Sequence, residues 1–75
     1  MHIGKRIKEV LREQGHNVSW LASQIPCERS NVYNIFKRES IGIDLLFWIS
    51  EVLGHDFFKE ISDEIVREMG AGNGK

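Results

Sequence analysis

The sequence holds a single cysteine, Cys27, so it can form no internal disulfide. No stretch approaches the roughly 18 consecutive apolar residues that a membrane-spanning helix needs. The opening residues Met-His-Ile-Gly-Lys-Arg lead into an amphipathic stretch, with no signal-like apolar run behind them, and a cytoplasmic location is expected. Strand-like alternation, internal repeats and low-complexity segments are all missing. His2, His16 and His55 are scattered, and no pair of histidines or cysteines stands at ligand spacing, so neither a metal site nor a cofactor is expected. Ser19, Ser23, Ser30, Ser40, Ser50 and Ser62 lack a neighbouring histidine base, which leaves nothing to support an enzyme.

What is present suits one small folded domain. The 75 residues leave no room for a cleft between two domains, while 41% hydrophobic and 28% charged residues set the chain apart from disordered tails. A domain of this size buries only about 60% of its unfolded surface, so its core is thin and a second subunit would help it.

Apolar spacing predicts five helices. The first covers residues 3–14, with Ile3, Ile7, Val10 and Leu11 on one face and Lys5, Lys8, Glu9 and Arg12 opposite; Gly15 stops it. Asn17 caps a second over residues 18–24, with Leu21, Ala22 and Ile25 inward, and Pro26 ends it. A third, residues 28–37, turns Val32, Ile35 and Phe36 inward. The fourth, residues 43–53, stops at Gly54 and bears two apolar stripes: Leu46, Ile49 and Leu53, and beside them Leu45, Trp48 and Val52. Asp56 caps a fifth, with Phe57, Phe58, Ile61, Ile65 and Met69 on one side. Short loops between short helices predict a compact all-α domain over residues 1–69, and residues 70–75, with three glycines and no core residue, are expected to be a disordered tail.

The informative stretch is residues 18–36. Two helices crossing closely at a fixed angle need a small residue at the crossing, apolar residues on their facing sides and a tight turn. Ala22 is the small residue, Leu21, Ile25, Val32 and Ile35 face each other, and Cys27 sits in the turn. Together with the Leu21-Ala22 dipeptide, the run Asn31-Val32-Tyr33-Asn34-Ile35 and the Val52-Leu53-Gly54 close of the fourth helix, this stretch resembles the helix-turn-helix of the Cro and lambda-repressor-like transcriptional regulators, over about residues 3–61. The resemblance implies a five-helix domain whose helices 2 and 3 form the motif. It also implies sequence-specific binding of double-stranded DNA, usually as a homodimer on paired half-sites.

Carried over by position, the resemblance puts Glu28, Arg29, Ser30, Tyr33 and Asn34 on the recognition helix facing the major groove. Arginine pairs bidentately with guanine and asparagine with adenine. Asn17, Ser19, Lys37 and Arg38 would hold phosphates. The chain departs from the family in three ways. Pro26 stands where a turn glycine is usual. Leu11 and Phe36 replace a buried arginine and glutamate, a paired change that leaves no lone charge behind. Glu28 would set a carboxylate near phosphates unless it caps the helix or accepts from cytosine N4. Tyr33 either packs at the groove edge or covers the helix crossing. Cys27 reads as a small buried hydrophobe, with a redox-sensing thiol as the sharper alternative.

The stripe of Leu45, Trp48 and Val52 either lies under the fifth helix or contributes, with Phe47 and with Phe57 or Phe58, to a symmetric dimer contact. A rival to DNA binding is a protein-binding helical module, such as the antitoxin half of a two-protein pair, using those aromatics. Net charge, −1, argues at first against a nucleic-acid partner. It conceals two unlike halves: residues 1–38 carry seven basic and three acidic groups, a balance of +4, and residues 39–75 carry three and eight, a balance of −5. That polarity matches a basic reading end and an acidic rear.

Overall fold

Each predicted helix has an amphipathic pattern, and the first, second and fourth have a defined stop as well. The computed structural model describes residues 1–25 and 27–73, in the order α1 (Ile3–Glu13), α2 (Val18–Gln24), α3 (Arg29–Lys37), α4 (Ile43–Leu53) and α5 (Phe57–Asn73), with no strand among the described residues. Pro26, expected to end the second helix, lies outside them.

The ends follow local chemistry. His2 Nδ1 accepts from the Lys5 amide at 3.1 Å, Asn17 Oδ1 from the Trp20 amide at 2.8 Å, and Asp56 Oδ1 from the Lys59 amide at 2.9 Å. Gly15 and Gly54 sit just past α1 and α4 at φ +78° and +60°, the left-handed region that costs glycine least. Beyond each glycine the chain closes in the same way: His16 N–H donates to Leu11 C=O and His55 N–H to Ser50 C=O, both at 3.0 Å.

Thirteen apolar residues make one buried cluster: Ile3, Ile7, Val10 and Leu11 from α1, Leu21 and Ile25, Val32, Ile35 and Phe36 from α3, Leu46, Ile49 and Leu53 from α4, and Phe57. Fully burying such a side chain contributes roughly 1.5–3 kcal/mol. Leu11 and Phe36 both lie in this core, and no polar or charged residue among the described ones is buried with them. Helix α3 packs on both α1 and α2.

Of the stripe Leu45, Trp48 and Val52, the first two line a groove with α3 and Val52 is half-buried against the core, while the rings of Phe47 in α4 and Phe58 in α5 are 6.5 Å apart. Helix α5 continues to Asn73, so residues 70–73 of the segment expected to be disordered are helical, while 74 and 75 lie outside the described residues. Extending an existing helix adds a hydrogen bond per residue without the cost of nucleation, which offsets the low propensity of glycine.

Candidate nucleic-acid interface

Helix α3 is divided lengthwise. Val32, Ile35 and Phe36 are buried, and Arg29, Ser30, Asn31, Tyr33, Asn34 and Lys37 are exposed. At 3.6 residues per turn, Ser30, Asn34 and Lys37 fall opposite the buried face. Arg29, Lys37 and Arg38 form no ion pair among the described residues, and the side chains of Ser30, Asn31 and Asn34 make no hydrogen bond within the described chain. The residue types that read bases and hold phosphates are thus displayed with their donors unused.

The end of α3 is fixed by α1. The amides of Ile3 and Gly4, which open α1 and have no partner within it, donate to the carbonyls of Glu39 at 3.0 Å and Arg38 at 2.9 Å. Gly4 is buried against the Ile35 and Phe36 carbonyls, where a Cβ would have no space. Nothing in the local sequence marks Gly4, because its role comes from residues more than thirty positions away.

Glu28 occupies the N-cap position of α3, but its side chain makes no capping bond. Of the two roles that would reconcile its carboxylate with nearby phosphate, capping is therefore not taken up. Tyr33 is 52% exposed and meets Phe36 edge-on, ring centres 6.3 Å apart, so it covers part of the core and still leaves half of its surface to solvent. At the start of α2, Ser19 is exposed and Asn17 spends its carbonyl oxygen on the cap, leaving the amide nitrogen free to donate. The His16 ring stacks on Trp20 at 3.5 Å, a contact that braces this corner and that the helix pattern alone did not suggest.

Beside α3 runs an open groove of about 400 Å³, lined by Ile25, Cys27, Asn31, Asn34, Arg38, Leu45 and Trp48 among others. Asn31, not singled out from the sequence, joins Asn34 and Arg38 along this edge; the spacing of three and seven residues was its only signal. Burial pushes the Cys27 thiol up from its ordinary value, so it stays protonated at neutral pH, which disfavours a reactive thiolate.

The proposed dimer residues divide. Phe57 is 0% exposed and belongs to the core, which removes it as a contact for a second copy. Phe47 and Trp48 are exposed and Phe58 is half-buried against Phe47. Ile65 and Met69, read from the sequence as part of the inner stripe, are 52% and 59% exposed, and Val66 between them is 63% exposed, because the outer half of α5 runs past the helices that could cover it. No group of histidine, cysteine, aspartate and glutamate among the described residues could hold a metal ion, and no helix is long and apolar enough to cross a membrane. No family model, curated protein or solved structure matches the chain.

Proposed function

We propose that this chain is a sequence-specific, double-stranded-DNA-binding transcriptional regulator in which α2 and α3 form a helix-turn-helix and α3 enters the major groove. The observation that carries the reading is the division of α3: one face is locked onto α1 and α2, the opposite face displays Ser30, Asn34 and Lys37, and Arg29 stands exposed at the helix start, all with no internal partner. Arg29 and Asn34 read bases and Ser30 assists, while Asn17, Ser19, Lys37 and Arg38 hold phosphates. Two copies join through Phe47, Trp48 and Phe58 together with the bare Ile65, Val66 and Met69 of α5, and so present two recognition helices to paired half-sites. The cytoplasm is its site of action.

Selection of bound sequences from random double-stranded DNA tests this. A palindrome should be enriched, and Arg29→Ala should lose preference at one base pair per half-site at a cost of about 1–3 kcal/mol. Failure to enrich any sequence would set the reading aside.

A second reading, a protein-binding module such as an antitoxin component, is supported by the uncovered Ile65, Val66 and Met69 on α5. It predicts that a co-encoded small basic protein copurifies with the chain and is lost when Ile65 and Met69 are both changed to lysine.

A further inference from the structure

Charge on α1 is sorted by face. Arg6 points to the acidic side: its Nε donates to Glu60 Oε1 at 3.0 Å, its Nη2 to Glu60 Oε2 at 2.7 Å and its Nη1 to Glu9 at 3.1 Å, with Glu13 at 3.8 Å. Lys5, Lys8 and Arg12 lie together along another edge, around one shallow depression that Glu9 also borders, and form no ion pair among the described residues. That edge adjoins α3. Lys8 Nζ lies 6.0 Å from the centre of the Phe36 ring, the same ring that Tyr33 meets edge-on. Lys8 thus sets this edge of α1 beside the Tyr33 flank of α3.

We propose that Lys5, Lys8 and Arg12 form a phosphate-binding track that holds the DNA strand bordering the groove entered by α3. This rests on the reading of α3 as a DNA-binding helix. Lys5 and Arg12 are seven residues apart, roughly 10 Å along the helix at 1.5 Å per residue. That span lets the three cations reach neighbouring phosphates of one strand. An acidic protein surface is the poorer occupant. The apolar residues of α1, Ile3, Ile7, Val10 and Leu11, are all buried, so the edge offers cations without the apolar anchor on which protein interfaces depend. Phosphate needs only the cations.

The track also changes the meaning of the charge balance. Arg6 is turned to Glu60 and Glu13 on the far side of α1, which takes one cation and one carboxylate of the first half away from the track. Facing DNA would be Lys5, Lys8, Arg12, Arg29, Lys37 and Arg38, opposed by Glu9 at the border of the track and by Glu28 at the start of α3, which leaves the whole +4 of the first 38 residues on that side.

The test is the salt dependence of binding to the selected DNA by wild type, the triple variant Lys5→Gln/Lys8→Gln/Arg12→Gln and Lys8→Gln alone, with circular dichroism reporting the fold. In the triple variant the slope of log K against log salt should fall by about 2–3, at roughly 0.9 per lost phosphate contact, and affinity at low salt should drop roughly tenfold or more, with base preference unchanged. Lys8→Gln should lower the slope by about 1 and keeps the test open if the triple variant does not fold. A slope equal to wild type in both variants overturns the track, and leaves the α3 reading standing if Arg29→Ala still loses its base preference. A triple variant that loses base preference along with affinity also overturns it, because the three residues would then act by placing α3. If the wild type shows no DNA binding at all, the α3 reading and the track fall together.

Discussion

At residue 4 the fold has no space for a side chain. A Cβ there would stand 2.5 Å from the Phe36 carbonyl oxygen and 2.6 Å from its carbon, with the Ile35 carbonyl oxygen nearer still. These are backbone atoms at the end of α3, and they can yield only if α1 and α3 separate. Separation would also stretch the two amide bonds from Ile3 and Gly4 to Glu39 and Arg38, which satisfy donors that the first turn of any helix leaves open. Gly4→Ala should therefore lower stability by roughly 1–3 kcal/mol, the usual range for overpacking a well-filled site. Gly70→Ala makes the same chemical change in α5 with nothing within 4 Å, and should leave the urea midpoint unchanged or raise it. Equal effects at the two positions would show that helix propensity decides the outcome at residue 4. A glycine in the first turn of an amphipathic pattern carries no visible mark of this role, because the atoms that exclude a side chain come from the far end of α3.

Helices were legible where their signals are local. Asn17 and Asp56 cap as their types suggest, Gly15 and Gly54 close α1 and α4 in the left-handed conformation, and the inward residues of α1 to α4 form the core. What the periodicity of α5 could not show was how far along the helix its stripe would find a partner. Phe57 is buried, Phe58 and Ile61 are partly covered, and Ile65 and Met69 are bare. In the candidate site the polar face of α3 was equally legible, but the ties between elements were not, since they join residues distant in sequence. Gln14 Nε2 donates to the Leu53 carbonyl at the end of α4, and Arg6 grips Glu60 in α5. The Arg6 hydrogen bonds hold the Glu60 carboxyl below its ordinary value of 4.5, against the opposing effect of burial. The folded chain thus resists protonating Glu60 more than the unfolded chain does. The stabilisation is fully present above about pH 4.5 and is lost as pH falls through the lower folded value. Glu60→Gln should cost roughly 0.5–1 kcal/mol at neutral pH, a modest amount because the pair is partly solvated. Urea denaturation of both proteins should show this difference shrinking in acid, and a gap that stays constant to pH 3 would mean that Glu60 contributes through packing and not through charge.

Across the whole molecule, charge and apolar surface occupy different helices. The unpaired cations of the first half lie on α1, on α3 and just after it, whereas most of the exposed large hydrophobics, Ile43, Phe47, Trp48, Ile65, Val66 and Met69, lie on α4 and α5. The molecule measures 45 × 20 × 18 Å, and a 17-residue α5 accounts for about 26 Å of helix at 1.5 Å per residue. A lone chain of this size gains little from a thin core, and bare Ile65, Val66 and Met69 add no stability until something covers them. A second copy would cover them and Phe47 while leaving the cationic side open, so association and DNA binding need not compete. Sedimentation equilibrium should accordingly give twice the 8.7 kDa chain mass at micromolar concentration. Ile65→Lys/Met69→Lys should shift the chain to monomer without moving its thermal midpoint at concentrations where the wild type is also monomeric, since neither side chain belongs to the buried core. On a palindromic site that variant should still bind each half-site but lose the added affinity that joining the two copies provides. A wild type that remains at the single-chain mass at high concentration would assign the bare face of α5 to a different protein, and the two half-sites would then have to be read by independent chains.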